Sequence, residues 1–126
     1  METTMPKVLI ADDSMFQRFS LAKVVKGLGY EVIEAKNGQE CLDALAEHAP
    51  DVVLLDLNMP VLTGFDVLEA LQAQKSSVPV VVISADIQES SKERCLKMGA
   101  REILSKPFPD QKLAALLTGL TSASPS

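Results

Sequence analysis

The chain alternates short, almost wholly apolar runs with longer segments whose apolar residues recur at helical spacing. This alternation is typical of a parallel β-sheet built from βαβ units. The predicted strands are residues 7–11, 31–35, 52–55, 79–84 and 102–105. The predicted helices begin after residue 14 and at residues 37–38, and three more cover residues 64–74, 89–98 and 110–120.

The composition of the strands predicts their order in the sheet. Strands one, three and four are nearly all apolar, as expected of strands that are covered on both faces. Strands two and five carry polar residues and are predicted to lie at the edges. We therefore predict an α/β fold, a flavodoxin-like doubly wound (βα)5 parallel sheet with strand order 2-1-3-4-5. This order creates a topological switch point between strands one and three.

The first helix has clear start and stop signals. Ser14 can cap its N-terminus, and Gly29 follows its last apolar residue. The methionine and phenylalanines of this helix, Met15, Phe16 and Phe19, sit at helical spacing. They are predicted to face the core.

Four of the predicted strands end in residue types that phosphate chemistry uses. Asp12 and Asp13 follow the first strand, and Asp56 follows the third. Ser84 ends the fourth strand, and Lys106 follows the fifth. Because parallel strands share one carboxyl edge, these side chains are predicted to meet in one pocket. Three carboxylates there would repel one another unless a cation intervened, and Mg²⁺ suits such a site because it accepts carboxylates and phosphate oxygens.

Each of these residues has a plainer alternative interpretation. The Asp12-Asp13-Ser14 segment could be a helix N-terminus with favourable acidic charge, and Lys106 could be a solvated surface lysine. In the chemical interpretation, Asp56 attacks phosphorus, while Lys106 and Ser84 contact phosphate oxygens. The four strand endings together favour the chemical interpretation.

Composition argues against nucleic-acid binding and against insertion in a membrane. The 126 residues carry a net charge of −5 with no basic cluster and no tryptophan, so direct nucleic-acid binding is not expected. No apolar stretch has the length of a membrane helix, and Met1–Pro6 lacks the features of a signal peptide. Cys41 and Cys95 are expected to be small buried thiols, and His48 a solvated loop residue. A cytoplasmic location is expected.

The motifs in combination resemble the receiver domain of two-component response regulators, of the single-domain, CheY-like kind. The resemblance covers Lys7–Leu120. The residues that carry it are Asp12-Asp13, the segment 56–64 (Asp-Leu-Asn-Met-Pro-Val-Leu-Thr-Gly), Ser84-Ala85 and Lys106-Pro107-Phe108.

The resemblance implies a role for each acidic residue. Asp56 would be the phosphoacceptor that receives a phosphoryl group from the phosphohistidine of a histidine kinase. Asp13 would bind Mg²⁺ directly, and Asp12 would hold its water ligands. Asn58 would supply a main-chain carbonyl to the metal. The side chains of Asn58 and Asp86 would tune hydrolysis of the aspartyl phosphate.

The resemblance also implies a switch. Ser84 would move onto the phosphoryl group, with Ala85 small enough to leave it accessible. Lys106 would bind the phosphate and precede a cis peptide bond to Pro107. Where the family commonly has Tyr or Phe on the fifth strand, this chain has Ile103, which cannot make the aromatic swing. Ile103 can equally be an ordinary core residue.

The resulting prediction is a phosphorylation-activated switch of a two-component phosphorelay, with chemotaxis as one candidate pathway. It would be a phosphoacceptor that assists its own phosphorylation and dephosphorylation rather than a multiple-turnover enzyme. The downstream protein is expected on the face formed by helix four, strand five and helix five. The expected state is a monomer, with a dimer on activation as an alternative.

The sequence has three alternative functional interpretations. The first is a phosphorelay intermediate. The second is a haloacid-dehalogenase-like phosphatase, whose nucleophile would follow strand one in an Asp-x-Asp pattern that this chain lacks. The third is a pseudo-receiver that only binds a partner. We divide the chain into an N-terminal lead (1–6), a receiver domain (7–120) and a disordered tail (121–126), with no output domain after the last helix.

Overall fold

A computed structural model describes residues 5–57, 59, 62–85 and 88–121. Its strands are β1 (Lys7–Ala11), β2 (Glu31–Ala35), β3 (Val52–Asp56), β4 (Val80–Ser84) and β5 (Glu102–Ser105). Its helices are α1 (Met15–Gly27), α2 (Gly38–His48), α3 (Gly64–Ala73), α4 (Glu89–Lys97) and α5 (Asp110–Thr121).

The five strands form one parallel sheet in the order β2-β1-β3-β4-β5. The predicted fold class and strand order are therefore confirmed, with the apolar strands at the centre and the two more polar strands at the edges. The first and third strands are neighbours, although a complete strand and two helices separate them in sequence.

The strands are apolar on both faces because helices cover both faces. On one side α2, α3 and α4 pack against the strand residues Leu9, Ala11, Val53, Leu55, Val80 and Val82. On the other side α1 and α5 pack against Val8, Ile10, Val52, Leu54, Val81, Ile83 and Leu104. Adjacent strand residues point to opposite layers, so every residue between the two ends of β1, β3 and β4 is buried.

Local signals set the helix ends as the sequence predicts. The Ser14 side chain accepts a hydrogen bond from the backbone of Gln17, and the Asn37 side chain accepts one from Glu40. Beyond the end of α1, Gly29 adopts a φ of 97°, a left-handed conformation that glycine takes without steric cost. Predicted element ends lie within one or two residues of the observed ones.

The predicted burial of the aromatic residues in α1 is wrong. Met15, Phe16 and Phe19 are 71%, 78% and 66% exposed, respectively. The buried face of α1 is instead formed by small and branched residues, Ala22 and Val25. At about 100° per residue, Phe16 lies about 150° around the helix from the midpoint of these two, and Phe19 about 90°. Helical spacing alone does not say which face of a helix is turned inward.

The C-terminal helix extends further than predicted. Thr121, assigned from sequence to the disordered tail, is the last residue of α5. Its hydroxyl donates a hydrogen bond to the Leu117 carbonyl and is hydrogen-bonded to Tyr30 at 3.1 Å. The rest of the predicted tail, residues 122–126, lies outside the described residues. Among the helices within the described ranges, none has both the length and the apolar character needed to span a bilayer.

Both cysteines are free and buried, as expected. Burial raises the pKa of the Cys41 thiol from 9.0 to about 12. Burial also raises the pKa of Cys95, an effect that the positive charge of Arg94 opposes. Because the pKa of Cys41 is higher in the folded chain, its contribution to stability is complete below pH 9.0 and is lost as the pH rises towards about 12.

The native chain is therefore expected to resist thiol alkylation. At pH 8 with excess iodoacetamide, both thiols should remain unmodified for as long as the chain stays folded, because the thiolate is the reactive form. In denaturant, both should react at the rate of a free cysteine. Intact-mass spectrometry measures this, and rapid modification of the folded chain would contradict the assigned burial.

Candidate functional site

Three carboxylates meet at the carboxyl edge of the sheet. In the register of β1 and β3, Ala11 faces Leu55, so the residues that follow them emerge side by side. One oxygen from each of Asp12, Asp13 and Asp56 lies within 4.8 Å of the others. Asp12 is buried, Asp56 is half-buried and Asp13 is exposed. The cluster is thus anchored in the protein on one side and open to solvent on the other.

Two contacts fix the Asp12 carboxylate. Its Oδ1 accepts a hydrogen bond of 2.9 Å from the Ser14 backbone, and its Oδ2 lies 3.5 Å from the Lys106 Nζ. Asp12 is 2% exposed, so this pairing offsets the cost of burying its charge. Ser14 caps α1 at the same time, so the helix-cap and acidic-site interpretations of this segment both describe the structure.

Arg18 holds the backbone of Asp12 in place, a role that the sequence did not predict. Its Nη1 donates a 2.8 Å hydrogen bond to the backbone carbonyl of Asp12. Its Nε donates to Glu34 on β2 at 2.9 Å, and its side chain is only 15% exposed. Arg18 lies one helical turn after the Ser14 cap, and that position is the signal that could have pointed to it.

Lys106 directly follows β5, the edge strand next to β4, and its side chain extends to the acidic cluster. Its backbone N–H donates to the Ser84 carbonyl at 2.9 Å, which holds the two residues side by side. Its Nζ pairs with Asp12 and also donates a hydrogen bond to the Gln17 side chain. Lys106 is therefore part of the site, and the interpretation of it as a solvated surface lysine is wrong. Ser84 is 2% exposed.

The donor set fits a hard divalent cation. All three ligand groups are carboxylates, and oxygen is the ligand atom that Mg²⁺ prefers. The three oxygens lie within 4.8 Å of one another, and oxygens that share one octahedral Mg²⁺ lie about 3 to 4 Å apart. A bound cation would remove the repulsion between the three acidic groups. The exposed side of the cluster leaves room for water or a phosphate oxygen.

The sequence of this chain matches a protein family over most of its length. The sequence profile described as "Response regulator receiver domain" matches residues 8–118. The chain belongs to the response regulator receiver domain family. Members of this family are the signalling switches of two-component systems.

Individual relatives of this receiver domain differ in size. This chain is 39% identical to the transcriptional regulatory protein PrrA of Mycobacterium tuberculosis, and the alignment covers 93% of this chain and 50% of PrrA. It is also 39% identical to the chemotaxis protein CheY of Listeria monocytogenes, over 89% of this chain and 96% of that one. The chain thus spans about half the length of the first relative and nearly all of the second.

Solved structures agree with the fold. The chemotaxis protein CheY4 of Vibrio cholerae superimposes with a TM-score of 0.86 at 32% identity. The superposition covers 93% of this receiver domain and 99% of that chain.

The remaining predicted site residues of the receiver domain differ in their burial, and two of them are not described by the structure. Ala85 is exposed directly after Ser84. Ile103 is half-buried opposite Val82 and packs against the core, so its environment is that of an ordinary core residue. His48, outside the site, is exposed in the last turn of α2 rather than in a loop. Two further predicted site residues, Asn58 and Asp86, lie outside the described residues.

Gly64 allows α3 to lie close to the end of β3, the strand that carries Asp56. The Gly64 N–H donates a 3.0 Å hydrogen bond to the Leu57 carbonyl. A Cβ added to Gly64 would lie 2.7 Å from the Asp56 carbonyl oxygen and 2.7 Å from the Leu57 Cα. Glycine at this position therefore allows the backbone at the start of α3 to support the backbone that carries Asp56.

Proposed function

We propose that this receiver domain accepts a phosphoryl group on Asp56 from the phosphohistidine of a histidine kinase and thereby changes its binding to a downstream protein. The observation that carries this proposal is the convergence of Asp12, Asp13 and Asp56 within 4.8 Å, with the Lys106 ammonium beside them. In the transfer, an Asp56 carboxylate oxygen bonds to phosphorus while the phosphorus–nitrogen bond to the donor imidazole breaks.

Asp12, Asp13 and Asp56 would hold Mg²⁺ together, with the Asn58 main-chain carbonyl as a further proposed ligand. When bound, Mg²⁺ supplies positive charge that lets an anionic phosphoryl group approach three carboxylates. Lys106 supplies a second positive charge for the transferred group. Phosphoryl transfer depends mainly on positioning and charge stabilisation, so this set of groups is sufficient for the reaction.

Ser84 is proposed to hydrogen-bond the phosphoryl group, and Ala85 leaves that group accessible. Asn58 and Asp86 are proposed to tune hydrolysis of the aspartyl phosphate. Phosphorylation adds charge at one end of the sheet and biases the protein towards a second conformation. The surface formed by α4, β5 and α5 is the proposed binding site for the downstream protein. Ile103 lies in the strand of this surface and cannot make an aromatic swing, so the change is proposed to travel through the loop after Ser84.

Removing the divalent cation is expected to stop phosphorylation. With acetyl phosphate and Mg²⁺, the chain should gain one phosphoryl group, and excess EDTA should slow this by about 100-fold or more, because the charges of three carboxylates then face the incoming phosphate. Intact-mass spectrometry at timed intervals measures the rate. Restoring Mg²⁺ should restore labelling, and labelling at an unchanged rate in EDTA would overturn the metal assignment.

Two pathways fit this switch. The similarity to a chemotaxis protein supports a chemotaxis-type switch. A phosphorelay intermediate would use the same site and pass the group on to a second histidine. Transfer from the phosphorylated chain to a histidine-containing acceptor distinguishes the two. A phosphatase is less well supported, because β1 is followed by Asp12-Asp13-Ser14 rather than by an Asp-x-Asp pattern, and the isolated aspartate, Asp56, lies at the end of β3.

A further inference from the structure

We propose that Gln17 is a positioning residue for Lys106, which it holds in place for phosphoryl transfer. This inference rests on the proposed function of the site. The Gln17 Oε1 accepts a hydrogen bond from the Lys106 Nζ, the atom that also lies 3.5 Å from the Asp12 carboxylate. No residue of the first helix was assigned to the site from the sequence.

The contact closes a ring of four residues. Asp12 Oδ1 accepts from the Ser14 backbone, and Ser14 Oγ accepts from the Gln17 backbone at 3.3 Å. The Gln17 side chain then accepts from Lys106, which returns to Asp12 through its ammonium group. The same helix cap therefore orients both the buried carboxylate and the glutamine that holds the lysine. The side chains of Lys106 and Gln17 thus link the loop after β5 to the start of α1.

The chemistry of the acceptor explains why a glutamine suits this position. Lys106 donates a hydrogen bond to Gln17 and forms an ion pair with Asp12 at 3.5 Å. Because an ammonium group has three N–H donors, Lys106 can contact a phosphoryl oxygen without giving up either partner. An amide oxygen is neutral and leaves the full positive charge on Lys106. A carboxylate at the same place would add negative charge to a site that already has three acidic groups.

Gln17 is also well placed for a test by substitution. Its side chain is exposed and lines a groove of about 320 Å³ between α1 and the loop after β5, with Phe16, Lys106 and Phe108 among its walls. A substitution there removes the contact with Lys106 while the core stays intact. Lys23, exposed on the same helix, offers a control position away from the site.

The experiment compares Gln17→Met, which cannot accept the hydrogen bond well, with Gln17→Glu, which can. Gln17→Met should slow Mg²⁺-dependent labelling by acetyl phosphate by about 10-fold, the scale of one hydrogen bond to a charged group. In a Lys106→Met background the same change should have no further effect. Lys23→Ala should label at the unmodified rate.

Nuclear magnetic resonance of the Lys106 ammonium group gives a readout that does not depend on phosphorylation. Hydrogen exchange of this group should become faster in Gln17→Met and stay slow in Gln17→Glu. Gln17→Met with an unchanged labelling rate and unchanged exchange would overturn the proposal, as would an equal loss of labelling in the Lys106→Met background. If the unmodified chain does not label at all, the proposed function fails, and the ammonium signal alone decides the role of Gln17.

Discussion

Replacing Asp56 with asparagine is expected to abolish phosphorylation of the chain by acetyl phosphate or by a phosphohistidine donor. The amide cannot act as the attacking oxygen nucleophile, so the rate should fall by at least about 1,000-fold. The fold should be retained, because asparagine has nearly the same size and Asp56 is half-buried at a strand end. Intact-mass spectrometry with Mg²⁺ present measures the labelling.

Asp43→Asn is the matched control, since it makes the same chemical change on the exposed surface of α2. It should label at the unmodified rate. If Asp56→Asn also gains a phosphoryl group, peptide mapping would show whether Asp13 or another residue receives it. Labelling of Asp56→Asn at the unmodified rate would eliminate Asp56 as the phosphoacceptor.

Replacing Gly64 with alanine is expected to destabilise the chain by about 2–4 kcal/mol, because the new methyl group has no room. The added Cβ would lie 2.7 Å from backbone atoms of both Asp56 and Leu57, and backbone cannot move aside as a flexible side chain can. The start of α3 must then shift, and phosphorylation should slow as well. Urea unfolding followed by circular dichroism measures the loss of stability.

Gly119→Ala is the control for that experiment. Position 119 lies in α5, and an added Cβ there meets nothing within 4 Å. Alanine favours a helix over glycine by about 1 kcal/mol, so this variant should be as stable as the original chain or more so. An unchanged urea midpoint for Gly64→Ala would show that α3 does not pack tightly against the end of β3.

The sequence predicted the fold and the acidic cluster because both depend on the same periodic signal. Strands that are apolar throughout must be covered on both faces, and the position of Asp56 after such a strand places it at the carboxyl edge. Asp12 and Asp13 end another central strand. Once these two strands are neighbours, the three acidic groups have to meet.

The sequence did not predict which contacts hold these groups in place. The Lys106 side chain turns towards Gln17 and Asp12 because of the path of the loop after β5, and no periodic pattern encodes that path. The exposure of Phe16 was missed for a related reason. Its spacing fits a buried helix face, but packing of the smaller Ala22 against the sheet determined how the helix is rotated.

Because β1 and β3 are neighbours, a bound divalent ion would also raise the stability of the folded chain. Asp13 and Asp56 are far apart in the unfolded chain, so a divalent ion that bridges them binds the native state almost exclusively. Such a ligand adds about 2.7 kcal/mol to native stability at one hundred times its dissociation constant. Cellular Mg²⁺ would then stabilise the folded chain, and a chelator that removes the ion would lower the free energy of unfolding.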